Sequence, residues 1–192
     1  MDPTADIQNT GGRPCREADA CTDFDILQYL PEKAGEEEMP VSTKGAMKQI
    51  KAYIAAKGFC YPEELIENFF LSLKSKPFVI LAGVSGTGKT RLVRLFAQAI
   101  GAECKLVPVR PDWSDGSDLF GHFDLGGNFI KGPVCECFEM AYAKPNKPVF
   151  LCLDEMNLAR VEYYLSDFLS VLETREKQED GTITTEKIAQ YE

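Results

Sequence analysis

The fold of this chain is decided by the stretch Gly83-Val84-Ser85-Gly86-Thr87-Gly88-Lys89-Thr90. An apolar run, Phe78-Val79-Ile80-Leu81-Ala82, comes directly before it and predicts a short strand. A segment with helical periodicity follows it. The apolar face of that segment is formed by Leu92, Val93, Phe96 and Ile100. Strand, glycine-rich turn and helix are the context that a phosphate-binding loop of the form G-x-x-x-x-G-K-[ST] requires.

Each residue type in this stretch suits the binding of phosphates. Glycines allow backbone N–H groups to turn inward and approach an anion closely. The loop ends at a helix N-terminus, where free N–H groups and the helix dipole favour negative charge. Lys89 would reach the β- and γ-phosphates and assist catalysis, and the Thr90 hydroxyl would ligate Mg²⁺. The predicted nucleotide-binding residues are Gly83, Val84, Ser85, Gly86, Thr87, Gly88, Lys89, Thr90 and Arg91.

A second informative stretch is Val149-Phe150-Leu151-Cys152-Leu153-Asp154-Glu155. Its near-continuous apolar run is typical of a strand in a parallel sheet, and its two carboxylates stand at the carboxyl end, where such sheets bind ligands. We predict that Asp154 holds Mg²⁺ beside Thr90 and that Glu155 acts as general base on the attacking water. These two acids could instead merely begin the next helix. The phosphate-binding pattern upstream favours the catalytic interpretation.

Charge is distributed unevenly along the 192 residues, whose net charge is −9 at pH 7. Residues 1–40 carry ten acidic and three basic side chains and lack sustained periodicity, which predicts a disordered acidic leader. Residues 41–192 are then the folded nucleotide-binding part. Because no basic stripe is present, direct contact of this segment with DNA is disfavoured.

The seven cysteines do not indicate a metal–thiolate centre or a disulfide framework. The Cys135-x-Cys137 pair has no second pair at zinc-site spacing, and His122 is the only histidine. Cys152 lies inside an apolar run and is predicted to be a small buried apolar residue. No signal peptide is recognisable and no apolar run approaches the ~18 residues of a membrane span, so we expect a cytoplasmic protein without membrane insertion.

The remaining pattern predicts an α/β fold with a mainly parallel sheet. We expect helices at 43–57, 62–76 and 134–143, a strand at 105–109, a hairpin around Gly126-Gly127 and a second turn at Asp180-Gly181. After Glu155, a 3.6-residue apolar stripe predicts one continuous helix. That stripe consists of Leu158, Val161, Leu165, Phe168, Leu169 and Leu172.

Together these stretches resemble AAA+ ATPases, and within them the branch of McrB-type restriction motors and dynein-related ATPases. The resemblance covers about residues 45–175 and is carried by Phe78 to Thr90, Trp113-Ser114-Asp115, Asp118-Leu119-Phe120-Gly121 and Leu153-Asp154-Glu155-Met156-Asn157-Leu158-Ala159-Arg160. It implies a three-layer α/β/α fold, a homo-oligomeric ring in which a neighbour supplies an arginine finger, and a partner nuclease in the restriction systems. ATP is the expected substrate, with GTP as the alternative.

The family pattern also includes elements that this sequence does not match. These are a fourth strand with a polar sensor residue, an arginine finger, a fifth strand and a helical lid. We therefore expect the chain to represent an AAA+ module truncated after the helix that follows Asp154 and Glu155, the Walker B acids of this family. A nucleotide-binding module without turnover is the alternative function. A small-molecule kinase is disfavoured, because the Asp-Glu pair favours water as the nucleophile.

Overall fold

The computed structural model describes residues 42–180 and 183–184, and the leader predicted at 1–40 lies outside them. The helices are α1 (Thr43–Ala56), α2 (Glu63–Ser75), α3 (Lys89–Ala99), α4 (Ser117–Phe120), α5 (Pro133–Ala143), α6 (Val161–Tyr164) and α7 (Ser166–Glu173). The strands are β1 (Glu103–Pro108), β2 (Gly121–Phe123), β3 (Phe129–Lys131), β4 (Val149–Asp154), β5 (Glu176–Lys177) and β6 (Ile183–Thr184). A 3₁₀ turn covers Met156–Leu158.

The strands β1 and β4 form a parallel pair at the centre of the fold. Glu103 pairs with Val149 and Pro108 with Asp154, so both carboxyl ends lie at the same edge. Side chains of β4 alternate between the two faces, as the pleat of a strand requires. Phe150 and Cys152 pack against one apolar cluster, and Leu151 and Leu153 against the other. Helices therefore cover both faces, which confirms the predicted α/β architecture.

The first apolar cluster joins α1, α2 and α3 to one face of this pair. Phe96 is fully buried at its centre and meets the Phe69 ring edge to face, with ring centroids 4.9 Å apart. Ser42 is the N-cap of α1, and its hydroxyl accepts a hydrogen bond from the Gly45 N–H at 3.1 Å. The second helix begins one residue later than expected, with Pro62 as its N-cap.

The second cluster lies on the opposite face and contains α4, α6 and the start of α5. Trp113 and the fully buried Tyr164 form its aromatic centre, with ring centroids 5.2 Å apart and an interplanar angle of 72°. These aromatic rings lie near the carboxyl end of the strands, where Val107 and Leu153 pack against the same cluster.

The strand predicted at Phe78–Ala82 is wrong for the structure as described. A strand needs a neighbouring ladder to satisfy its backbone groups, and within residues 42–180 and 183–184 no strand pairs with this segment. Its side chains nevertheless pack: Val79 and Leu81 contact the first cluster and Phe78 the second. Ile80 remains 61% exposed.

The single helix predicted after Glu155 is also wrong, because the backbone turns sharply at Glu155 and breaks twice further on. Glu155 is left-handed (φ 52°, ψ 45°) and Ala159 is extended (φ −114°, ψ 168°). Leu165 (φ −110°, ψ −5°) then separates α6 from α7. The stripe still contributes to the core, since Leu165 is buried, while Leu158, directly before the break at Ala159, is 50% exposed.

The other predicted elements agree with the structure to within about two residues. The strand expected at 105–109 is β1, and the helix expected at 134–143 is α5. The predicted hairpin is the antiparallel pair β2–β3. The pair β5–β6 supports the second hairpin, although Gly181 lies outside the described residues. Within the described part of the chain, no helix combines the length and hydropathy that crossing a membrane demands.

Gly132 is packed so closely that a methyl group cannot be added there. A Cβ atom at Gly132 would lie 2.2 Å from the Leu119 carbonyl oxygen and 2.7 Å from the Phe120 carbonyl carbon. Gly132→Ala is therefore expected to reduce the free energy of unfolding by about 3 kcal/mol, measured by urea denaturation. Gly126→Ala is the control, because its nearest neighbour is the movable Asn128 side chain at 3.2 Å. Equal midpoints for the two variants would contradict this expectation.

Candidate functional site

The glycine-rich stretch forms an exposed turn over residues 83–87 that leads directly into α3. Gly88 is the N-cap of α3 and has a left-handed backbone (φ 86°, ψ 17°), which glycine adopts without steric cost. The first N–H groups of α3 have no partner within the helix, so the turn presents donors to an anion. The structure thus gives the predicted phosphate loop its helix, but not its preceding strand.

Lys89 bends back across this loop. Its ammonium donates hydrogen bonds to the carbonyl oxygens of Gly83 at 2.9 Å and Val84 at 2.8 Å. The Thr87 hydroxyl donates to the same Val84 carbonyl at 2.8 Å. The Lys89 ammonium is therefore the only formal charge in this set of contacts. The Lys89 side chain reaches back from the start of α3 to the first two residues of the loop.

Thr90 and Asp154 are brought into direct contact. The Thr90 hydroxyl donates to Asp154 Oδ1 at 2.8 Å, across 64 positions of sequence. Thr90 lies in the first turn of α3, and Asp154 is the last residue of β4. The two residues that the sequence singled out for a metal therefore share one place, at the carboxyl end of the parallel pair.

The side-chain oxygens of Thr90 and Asp154 are suitable ligands for Mg²⁺. A hydroxyl and a carboxylate are hard oxygen ligands, which Mg²⁺ prefers over nitrogen or sulfur. Across residues 42–180 and 183–184, no group of three or more His, Cys, Asp or Glu side chains is arranged to hold a metal ion. Protein sites for Mg²⁺ commonly use one or two carboxylates and take their remaining ligands from phosphates and water. Thr90 and Asp154 would hold the ion in that manner.

Glu155 follows Asp154 on a turn whose backbone has an unusual conformation. In the described part of the chain it is the one non-glycine residue with positive φ. Such conformations cost about 1–3 kcal/mol and persist where the surroundings enforce them. The Glu155 side chain is exposed to solvent, and Glu155 directly follows the carboxylate that Thr90 contacts.

Tyr164 supports this turn, a role that no sequence motif indicates. Its hydroxyl donates to the Met156 carbonyl at 2.8 Å, and its ring packs on Trp113. Burial raises the pKa of the Tyr164 hydroxyl, which keeps it protonated as a donor. The spacing from Val161 to Tyr164 to Phe168 belongs to the same apolar stripe and could have indicated a core position. That spacing does not indicate that the hydroxyl contacts the Met156 carbonyl.

Two residues near the loop make contacts that no sequence pattern indicated. Arg91, which is predicted to bind nucleotide, has its guanidinium over the Phe59 ring, 4.8 Å from the centroid. Tyr61 was not predicted at all, and its hydroxyl donates to the Gly88 carbonyl at 2.9 Å. Both contacts join the α1–α2 connection to the start of α3. No sequence pattern indicates either contact.

Cys152, between the two apolar clusters, behaves as an apolar side chain. It packs against the first cluster, and burial raises the pKa of its thiol to about 11. The thiol is therefore protonated near neutral pH. Cys137 has its pKa raised by the same cause. Neither thiol has the lowered pKa of a reactive cysteine.

Comparison with known proteins identifies a family. A family model described as AAA domain (dynein-related subfamily) matches residues 78–192. A comparison with curated proteins found no match. The matched range begins at the apolar segment before the glycine-rich loop and includes Lys89, Thr90, Asp154 and Glu155. The helices α1 and α2 precede it.

Proposed function

Because the chain belongs to the dynein-related subfamily of AAA domains, we propose that it binds and hydrolyses ATP in the presence of Mg²⁺. AAA domains are nucleotide-binding ATPase domains. We propose in addition that the metal is Mg²⁺, that the nucleotide is ATP and that the residues described above bind them. The observation that carries it is the 2.8 Å hydrogen bond between Thr90 and Asp154. This contact joins the end of the phosphate loop to the end of the buried strand.

The proposed chemistry assigns one role to each residue. Backbone N–H groups at the start of α3 and the Lys89 ammonium bind the β- and γ-phosphates. Thr90 and Asp154 hold Mg²⁺, which when bound neutralises phosphate charge. Glu155 accepts the proton of a water molecule whose oxygen attacks the γ-phosphorus, while the bond to the β-phosphate oxygen breaks. ADP and phosphate are the products.

We further propose that the chain is the motor component of an McrB-like DNA restriction system. The resemblance of Trp113-Ser114-Asp115 and of the segment from Asp154 to Arg160 supports this. Tyr164 links the two segments, because its ring packs on Trp113 and its hydroxyl donates to the Met156 carbonyl. A homo-oligomeric ring would supply the arginine finger from a neighbouring subunit, and a partner nuclease would act on the DNA. The acidic charge of the chain suits this division, because direct DNA contact needs basic surface.

A second candidate is a module that binds nucleotide without turnover. The position of Arg91 favours it, because the guanidinium lies over the Phe59 ring, and the charged side chain seen in contact with the loop carbonyls is Lys89. A charged group aimed at the γ-phosphate contributes strongly to the transition state. An isolated chain would then hold ATP and await a partner for hydrolysis.

Titration of the chain with a fluorescent ATP analogue tests both candidates. We expect saturable binding in Mg²⁺ that falls at least about tenfold when EDTA removes the metal, since the metal neutralises phosphate charge. Competition with GTP reports the preferred base, and phosphate release reports turnover. Binding with phosphate release supports the ATPase, and binding without it, at any protein concentration, supports the second candidate. Absence of binding by the folded chain would overturn both.

A further inference from the structure

We propose that Tyr61 is a positioning residue for the phosphate loop. Its hydroxyl holds the Gly88 carbonyl and thereby aims the backbone N–H of Lys89 at the bound phosphates. The proposal rests on the proposed nucleotide binding. It adds a group outside the matched range 78–192, contributed by the connection between α1 and α2.

The Gly88 carbonyl is held from two directions. Tyr61 donates to it at 2.9 Å, and the Leu92 N–H donates to it at 2.9 Å as the first hydrogen bond of α3. A carbonyl oxygen has two lone pairs, so both are used. The contact is close, because a Cβ atom on Gly88 would lie 2.9 Å from the Tyr61 hydroxyl oxygen.

Fixing this carbonyl also fixes the N–H of the next residue. The peptide unit is planar and trans, so the Gly88 carbonyl and the Lys89 N–H point in opposite directions. Gly88 lacks a side chain and would otherwise permit rotation of this unit. A donor on the carbonyl additionally polarises the unit and strengthens the N–H as a donor. Tyr61 therefore acts through the peptide and does not need to touch the phosphate.

The surroundings hold Tyr61 in place. It is half-buried against the first apolar cluster, and Pro62, which follows it, restricts its backbone to extended conformations. Phe59, two residues earlier, lies under the Arg91 guanidinium and makes a second contact with α3. Burial raises the pKa of the Tyr61 hydroxyl, opposed by the nearby Arg91 charge, so it remains a donor at neutral pH.

Tyr61→Phe removes the hydroxyl and retains the ring. Loss of one hydrogen bond that orients a phosphate donor should weaken Mg²⁺·ATP binding by about three- to tenfold. Tyr61 also lines a cavity of about 310 Å³ with Phe59 and Ile54, so a contact with the base must be separated from the proposed role. Inorganic tripolyphosphate has no base, and we expect the variant to weaken its binding by the same factor.

Tyr53→Phe is the matched control, because it removes the same group from α1, where the ring faces Lys57. We expect it to leave both affinities unchanged. The amide resonance of Lys89 provides a direct signature: its shift on adding Mg²⁺·ADP should be smaller in the Tyr61 variant at saturation.

The outcomes separate this inference from the proposed function. Unchanged tripolyphosphate affinity in Tyr61→Phe, in a parent chain that binds ATP, overturns the positioning role alone. Equal losses in the Tyr53 variant would also overturn it, because the effect would then be general. Failure of the parent chain to bind either compound overturns the inference together with the proposed nucleotide binding. Thermal midpoints without ligand establish that all chains compared are folded.

Discussion

Lys89→Ala is expected to weaken Mg²⁺·ATP binding by about 100-fold or more. The ammonium spans the loop, with hydrogen bonds to the Gly83 and Val84 carbonyls, and is the cation positioned to transfer to phosphate oxygens. A hydrogen bond to a charged group contributes about 1.5–3 kcal/mol, and the variant loses the two that we expect the ammonium to make to phosphate oxygens. Each 1.4 kcal/mol corresponds to ~10-fold in affinity. Titration of the variant with the fluorescent ATP analogue measures the change.

Lys147→Ala is the matched control for this substitution. It removes the same charge from the loop that precedes β4, at the opposite end of the strand from Asp154. We expect its affinity for Mg²⁺·ATP to remain within about twofold of the parent chain, since surface charges at such distances are screened. Comparable losses in the two variants would indicate a general effect of net charge. Retained binding in Lys89→Ala would show that the loop does not bind phosphate through this residue.

Local pattern predicted much of the site because both of its parts carry their own signals. The phosphate loop is recognisable from its glycines, which permit close approach of the backbone. The strand β4 is recognisable from a continuous apolar run that ends in two acids. The structure places Thr90 against Asp154, as the combined patterns anticipated. Asp154 ends β4, and α3 packs against β4 through Phe96 and Phe150, so the first turn of α3 brings Thr90 to that end of the strand.

The errors arise where local pattern depends on distant partners. The segment 78–82 has the composition of a strand, yet a ladder requires a neighbour, and none pairs with it in the described residues. The stripe after Glu155 has helical spacing, yet the turn at Glu155 and the packing of Tyr164 on Trp113 impose breaks. Tyr61 lies far in sequence from Gly88, and nothing in its neighbourhood signals a hydrogen bond to the loop.

Glu155→Gln should separate hydrolysis from binding. The change removes the group that accepts a proton from water and keeps the shape of the side chain. Positioned general bases contribute typically about 10²- to 10⁴-fold, so phosphate release at saturating Mg²⁺·ATP should fall by at least ~100-fold. Binding should stay within about threefold of the parent chain, because Thr90 and Asp154 retain their contact.

The comparison that isolates this role is Glu162→Gln, the same neutralisation on the exposed face of α6, seven positions further along the chain. Its turnover should match that of the parent chain. A Glu155 variant that releases phosphate at the parental rate would remove Glu155 from the chemistry and leave the exposed, left-handed turn without a catalytic explanation. A variant that loses binding as well would mean that the turn shapes the nucleotide site itself, because Glu155 directly follows the carboxylate that Thr90 contacts.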